Sequence, residues 1–188
     1  MSLLRSTALL FALLFTIHLT TAMPVDFADC AAPNGTDKIM HWWQCSSGPV
    51  QFLNATPYDG NNKYEYPIHL NAPITMKTII NNPSGTYTKG NLLSTVNIWK
   101  YGGWNGCVWS SVPTLGLLKN QDACSNGVPC PIVPGSNKEL DVVVDFTQYE
   151  QIIQLLKDNQ PYQLEYILND TPSGDTSCLM VQAWAYIK

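Results

Sequence analysis

The chain has 188 residues, of which only 13% are charged while 11% are aromatic. Ten Lys and Arg against fourteen Asp and Glu leave a formal net charge of −4. With no Lys/Arg cluster, that balance excludes nucleic acid as a partner, because binding a phosphate backbone needs a basic face.

In chain order, the first segment reads as an address. Arg5 supplies a positive start, residues 8–19 are an almost unbroken apolar run, and Thr20-Thr21-Ala22 offers small residues for cleavage. A bilayer span needs about 20 apolar residues, and this run is shorter and interrupted by Thr16 and His18. The spacing therefore predicts a signal peptide over residues 1–22, a mature domain over 23–188 and a secreted or lysosomal destination. Losing Arg5 moves the formal charge from −4 to about −5.

All six cysteines (Cys30, Cys45, Cys107, Cys124, Cys130 and Cys178) follow that segment. An even number in a secretory chain reads as three disulfides, with every connectivity left open by the residues themselves. Zinc is the competing reading. It is disfavoured because no Cys-x-x-Cys occurs and only His41 and His69 remain after cleavage. No metal and no cofactor are expected. Asn34-Gly-Thr36, Asn54-Ala-Thr56 and Asn169-Asp-Thr171 are glycosylation acceptors, whereas Asn82 is excluded by Pro83.

Turn formers recur at short intervals, among them Tyr58-Asp59-Gly60, Asn82-Pro83-Ser84-Gly85, Gly102-Gly103 and Thr171-Pro172-Ser173-Gly174. Between them, residues 38–45, 50–55, 74–80, 92–101, 140–146, 162–168 and 178–187 are of strand length and rich in β-branched and aromatic types. Short strands separated by turns predict an all-β, immunoglobulin-like antiparallel sandwich with one short helix. In the last strand Leu179, Val181, Ala183, Ala185 and Ile187 form one apolar face of period two. The segment 162–168 places Tyr162, Leu164, Tyr166 and Leu168 together in the same way.

One segment breaks the β pattern. Thr147-Gln-Tyr-Glu150 reads as a capping box, followed by Tyr149, Ile152, Ile153 and Leu156 on one helical face. Lys157 sits near the end of that face and Pro161 follows it, so a helix of two to three turns is predicted. Residues 104–118 are apolar, yet Gly106, Pro113 and Gly116 deny them a regular element. Such a loop either folds inward as a plug or lines an opening, since loops are normally polar.

Three features in order carry a family resemblance. Val25-Asp-Phe-Ala-Asp29-Cys30 stands at the start of the mature chain. Cys124-Ser-Asn-Gly-Val-Pro-Cys130-Pro131-Ile132, with Gly135 downstream, stands in the middle. Cys178 opens an alternating final strand. The set resembles the MD-2-related lipid-recognition family, which includes the Niemann-Pick type C2 sterol carrier and the GM2 activator. Residues 161–168 and the aromatic insertion before Cys124 resemble the GM2 activator branch most. The chain departs from that branch in having six cysteines where the activator has eight, and Ala31 stands where the family has glycine. The resemblance implies pairs Cys30–Cys178 and Cys124–Cys130, which leaves Cys45 with Cys107. It also implies a β-cup, two sheets splayed around a cavity for a glycolipid, phospholipid or sterol.

On that expectation the cavity wall is Val142, Val144, Phe146, Ile152, Leu164, Tyr166, Val181 and Ala183. A one-residue phase error would swap wall residues for core or surface ones. The mouth is Trp99, Trp104, Trp109, Leu115 and Leu117, because indoles suit a border between apolar and wet surroundings. The partners expected are a lipid, a transient membrane surface and a lipid hydrolase served without catalysis, with the protein acting as a monomer. No catalytic residue is assigned: there is no Gly-x-Ser-x-Gly, no His-Glu-x-x-His and no phosphate loop. The rival reading is a secreted adhesion or immune-recognition sandwich without a lipid cavity.

Overall fold

The computed structural model describes residues 30–188. The expected signal segment 1–22, its expected cleavage point and the Val25–Asp29 part of the opening motif lie outside them. No helix among the described residues is long and apolar enough to cross a membrane.

Among the described residues ten strands build two sheets: β1 His41–Gln44, β2 Gln51–Tyr58, β3 Ile68–His69, β4 Ile74–Asn82, β5 Leu92–Tyr101, β6 Trp109–Ser111, β7 Gln121–Asp122, β8 Gly135–Val144, β9 Gln160–Asp170 and β10 Thr176–Tyr186. The larger sheet runs β1-β10-β9-β5-β6, with β3 beside β10 and β7 beside β5. The smaller is β2-β4-β8. All pairings are antiparallel except β3 with β10. The expected antiparallel sandwich is what the chain forms, because each strand carries one apolar face and two such faces can hide only against each other.

The phase of each strand decides what enters the core. Leu140 and Val142 of β8 are buried, while Val143 between them is 40% exposed. On β10 Leu179, Ala183 and Ala185 are buried, and on β5 Leu92, Ser94 and Ile98 are. The β9–β10 hairpin closes where the turn residues predict it. Gly174 has φ +74°, which glycine adopts without Cβ strain, and its N–H donates to Asp170 O at 2.9 Å.

Two expectations are corrected. The first concerns the disulfides: Cys45 pairs with Cys178 and Cys30 with Cys107, while Cys124–Cys130 is as implied. Gln44 faces Leu179 in the β1–β10 register, so Cys45 falls beside Cys178, with Cα atoms 5.0 Å apart. That separation suits a bridge. Cys30 instead ties the start of the described chain to the β5–β6 loop.

The second concerns the helix. It is one turn, α1 Glu150–Ile153, and the capping box does not form. Asp145 takes the Thr147 side chain first: its Oδ1 accepts from Thr147 N at 2.9 Å and from Thr147 Oγ1 at 2.6 Å. The expected apolar face still turns inward, with Ile152 1% exposed and Leu156 buried. Burial of that face holds the turn in place without a side-chain cap.

Candidate functional site

The space between the sheets is a line of small apolar voids rather than one open chamber. The largest, about 90 Å³, lies among residues that include Ile74, Ile98, Phe146, Leu156 and Ala183. A second of about 40 Å³ lies deeper, against Phe52, Leu140, Val142 and Leu179. Met76, Val144, Leu164 and Val181 wall both, so the two are neighbours in one seam. A dry cavity of about 150 Å³ holds a benzene. In this state the seam is therefore too small for an acyl chain, and any such occupant must part the sheets.

A wetter recess of about 330 Å³ abuts the seam and shares Val144, Phe146 and Tyr166 with it. Its rim is polar: Ser94, Gln121, Ser125, Asn126 and Gln148. It sits where the β5–β7 edge of the large sheet meets β8, the edge strand of the small one. The Cys124–Cys130 loop is stitched to that edge by Val143 N donating to Gly127 O at 2.9 Å. A Cβ on Gly127 would lie 1.8 Å from Val143 O, so only glycine allows this approach.

Two tyrosines face the interior with opposite solutions for their hydroxyls. Tyr162 Oη donates to Lys157 O and accepts from Lys157 N, both at 2.7 Å. Tyr166 Oη is buried without a hydrogen bond of normal geometry, although the Ser94 hydroxyl near it slightly offsets the effect of burial on its pKa. Desolvation pushes each phenol up to about 12. Tyr166→Phe is therefore expected to be neutral or stabilising by up to about 1 kcal/mol, and Tyr162→Phe to cost about 1–2 kcal/mol. Urea denaturation of the two variants checks this, and equal losses would refute it. The same shifts set an alkaline limit. Both phenols titrate near 10 when unfolded, so their contribution is complete below pH 10 and is lost as pH rises towards about 12. Alkaline unfolding followed by circular dichroism should move to higher pH in Tyr166→Phe.

The expected wall and mouth separate in space. Val142, Val144, Phe146, Leu164, Tyr166, Val181 and Ala183 all line the seam. Ile152 does not; it is the residue of α1 that packs into the core. Ile98 and Met76 line the seam although they were not singled out, and the alternation Leu92, Val96, Ile98 carried the signal for the first. Trp99 lies one residue out of phase with Ile98, on the outer face of the large sheet. Trp109 is on that face too, its ring 5.0 Å from Tyr101 and tilted by 58°. Trp104 and Leu115 project into solvent, 81% and 79% exposed, and Leu117 is exposed as well. The loop is both plug and surface: Val112 and Leu118 are buried, pinned by Val112 N to Ile98 O and Val96 N to Leu118 O, each at 2.8 Å.

The one grouping of metal-ligand atom types among the described residues is Cys45, Cys178 and Glu165. Its sulfurs are bonded to each other, which leaves no thiolate to bind an ion.

Fold and site together define a disulfide-stapled two-sheet sandwich with an apolar seam and a polar-rimmed recess at one edge. No family model and no curated protein matches the sequence. Among solved structures, a Niemann-Pick type C2 protein from Japanese carpenter ant is 14% identical, over 79% of this chain and 99% of that one, with a TM-score of 0.44. The C-terminal domain of wzt is 8% identical, over 82% of this chain and 81% of that one, with a TM-score of 0.38. Similarities this slight assign neither a family nor a ligand.

Proposed function

We propose that this chain is a non-catalytic lipid-binding protein that holds a glycolipid, phospholipid or sterol between its two sheets. The observation that carries the reading is the apolar seam, continuous in its walls and adjoining a recess with a polar rim. An apolar tail can lie in the seam and a polar head in the recess, with no chemical step needed. Each methylene removed from water contributes roughly 0.8 kcal/mol, so one long acyl chain offers on the order of 10 kcal/mol before binding costs. That gain works against the cost of parting the sheets, which is least at the β8 edge, where strand pairing ends.

The ordered motifs support placement in the MD-2-related lipid-recognition family, nearest the GM2 activator branch. With that placement go a secreted or lysosomal location, a monomer, and delivery of the lipid to a membrane or a hydrolase. The exposed Trp104, Leu115 and Leu117 are the contact we assign to the membrane. Between Glu65 and Asp122 the sequence has no carboxylate and carries Lys77, Lys89, Lys100 and Lys119, so this segment suits an anionic surface despite the negative whole. Asn34 and Asn54 are exposed and Asn169 half-buried, and all three are proposed glycosylation sites.

The test is native mass spectrometry with lipid extraction on protein secreted from eukaryotic cells. A stoichiometric co-purifying lipid, or uptake of added sterol, phospholipid or glycolipid, is the expected result. Trp104→Ser combined with Leu115→Ser should weaken association with anionic vesicles while leaving uptake intact. A chain that takes up none of these lipids would overturn the proposal and favour the adhesion reading.

A further inference from the structure

Outside the seam, the outer face of the large sheet carries a second recess of about 370 Å³ where β5, β9 and β10 end together. Small-molecule sites begin at about this size. Its floor is the buried Pro161 of β9. Trp184 of β10 stands directly across from Pro161 in the register. Tyr101 follows Lys100, which faces Tyr162, and so flanks Pro161 on the other side. Adjacent strands are about 4.8 Å apart, which sets the two rings on backbones roughly 10 Å apart with the proline between them. Both rings are held in place. Trp184 Nε1 donates to Asn159 Oδ1 at 2.7 Å, and Tyr101 leans on Trp109.

The rest of the lining is the Gly102–Gly103 turn, the disulfide-bonded Cys30 and four polar or basic residues. Lys100 and Lys157 border the recess with Asn159 and Gln160, and among the described residues no carboxylate lines it. Among the described residues neither lysine forms an ion pair, and the one ion pair there is His69 with Glu65. Asp158 is next to Lys157 in sequence, but its carboxylate accepts from Ile187 N at 2.7 Å and Lys188 N at 3.4 Å. Those backbone N–H groups hold its pKa below the usual carboxylate range.

Fixed aromatic faces, amides and two ammonium groups with no ion-pair partner among the described residues match one ligand chemistry. The C–H face of a pyranose ring packs on an aromatic ring, its hydroxyls bond to amides, and an acidic substituent meets lysine. A purely apolar ligand would leave the lysines and amides idle, and a simple inorganic anion would leave the rings idle. We propose that this recess binds a sugar ring carrying an anionic group, at a site separate from the inter-sheet seam. Such a sugar reaches the recess either as a soluble glycan or as the headgroup of a membrane glycolipid.

Titration of the full secreted chain with methyl β-glucuronide, followed by isothermal calorimetry and Trp fluorescence, tests the proposal. A parallel titration uses vesicles displaying the same sugar on a lipid. Saturable binding is expected in at least one arm; binding in the vesicle arm alone would identify the source as a membrane glycolipid. Lys100→Ala with Lys157→Ala should weaken binding about ten-fold, the size expected when two partly exposed charge-assisted contacts are lost. Lys157 holds Tyr162 through its backbone alone, which alanine keeps, and neither lysine lines the seam, so the thermal midpoint and the uptake of an apolar dye there should be unchanged. Loss of sugar binding with dye uptake intact thus separates this site from the lipid reading. No saturable binding in either arm, an unaffected lysine variant, or equal binding of methyl β-glucoside or inorganic phosphate would each overturn the proposal.

Discussion

Replacing Cys45 and Cys178 together by alanine is expected to lower stability by about 4–5 kcal/mol, the chain-entropy value for a closed loop of this length. The two cysteines are 133 residues apart in sequence, so the bridge removes much of the freedom of the unfolded chain. Replacing the Cys124–Cys130 pair, with a separation of 6, should cost only about 2 kcal/mol by the same relation. Typical domains have about 5–15 kcal/mol in total, so the longer bridge accounts for a large share. Guanidinium denaturation of the oxidised variants measures both effects. A loss under about 1 kcal/mol for the Cys45/Cys178 variant would mean that the β1–β10 register alone holds these strands in the unbridged chain. Peptide mapping under non-reducing conditions checks the connectivity itself, and a Cys30–Cys178 peptide would contradict it.

Ala183→Leu is expected to abolish ligand-linked stabilisation while leaving the free protein close to its original stability. Ala183 is buried on the inner face of β10 and lines the largest void, of about 90 Å³. The longer side chain takes up space that is otherwise empty, so the added packing offsets most of the strain, with a net change within about 1.5 kcal/mol. A ligand at a hundred times its Kd stabilises the native state by about 2.7 kcal/mol. That increment should appear in the original chain and vanish in the variant when denaturation is repeated with and without the co-purifying lipid. If Ala183→Leu keeps the full increment, the lipid does not lie between the sheets. Residues of the wetter recess, such as Gln148 and Ser125, would then be the next place to look.

Much of the sandwich was legible because strand alternation is local. The segment 92–101 and β5 coincide, and residues 162–168 and 178–187 became β9 and β10 with end shifts of one or two residues. In β8 the pattern Leu140, Val142, Val144 against Asp141 and Val143 separated inner from outer positions without any knowledge of the partner strand. The same reasoning failed for β5, where both phases hold large apolar side chains: Leu92, Val96 and Ile98 on one, Leu93 and Trp99 on the other. A tryptophan suggested a mouth, yet only the β5–β9 register, Ile98 with Leu164 and Trp99 with Gln163, shows which side faces the seam. The helix followed a similar logic. Its apolar face was visible in the spacing of Tyr149, Ile152, Ile153 and Leu156, but it is one turn long and its N-cap is Tyr149 with no side-chain cap, which that spacing did not show.

Composition, local period and turn chemistry therefore settled the class of fold, the strand positions and most of the apolar faces, since each depends on residues within a few positions of one another. Cysteine partners, the width of the gap between the sheets and the outer recess at Tyr101, Pro161 and Trp184 were decided only by tertiary structure. Each joins segments tens of residues apart: Cys45 meets Cys178 through the β1–β10 register, and Trp184 meets Pro161 through β9–β10. Register between distant strands is set by how two whole faces pack, and no local window of sequence contains that information.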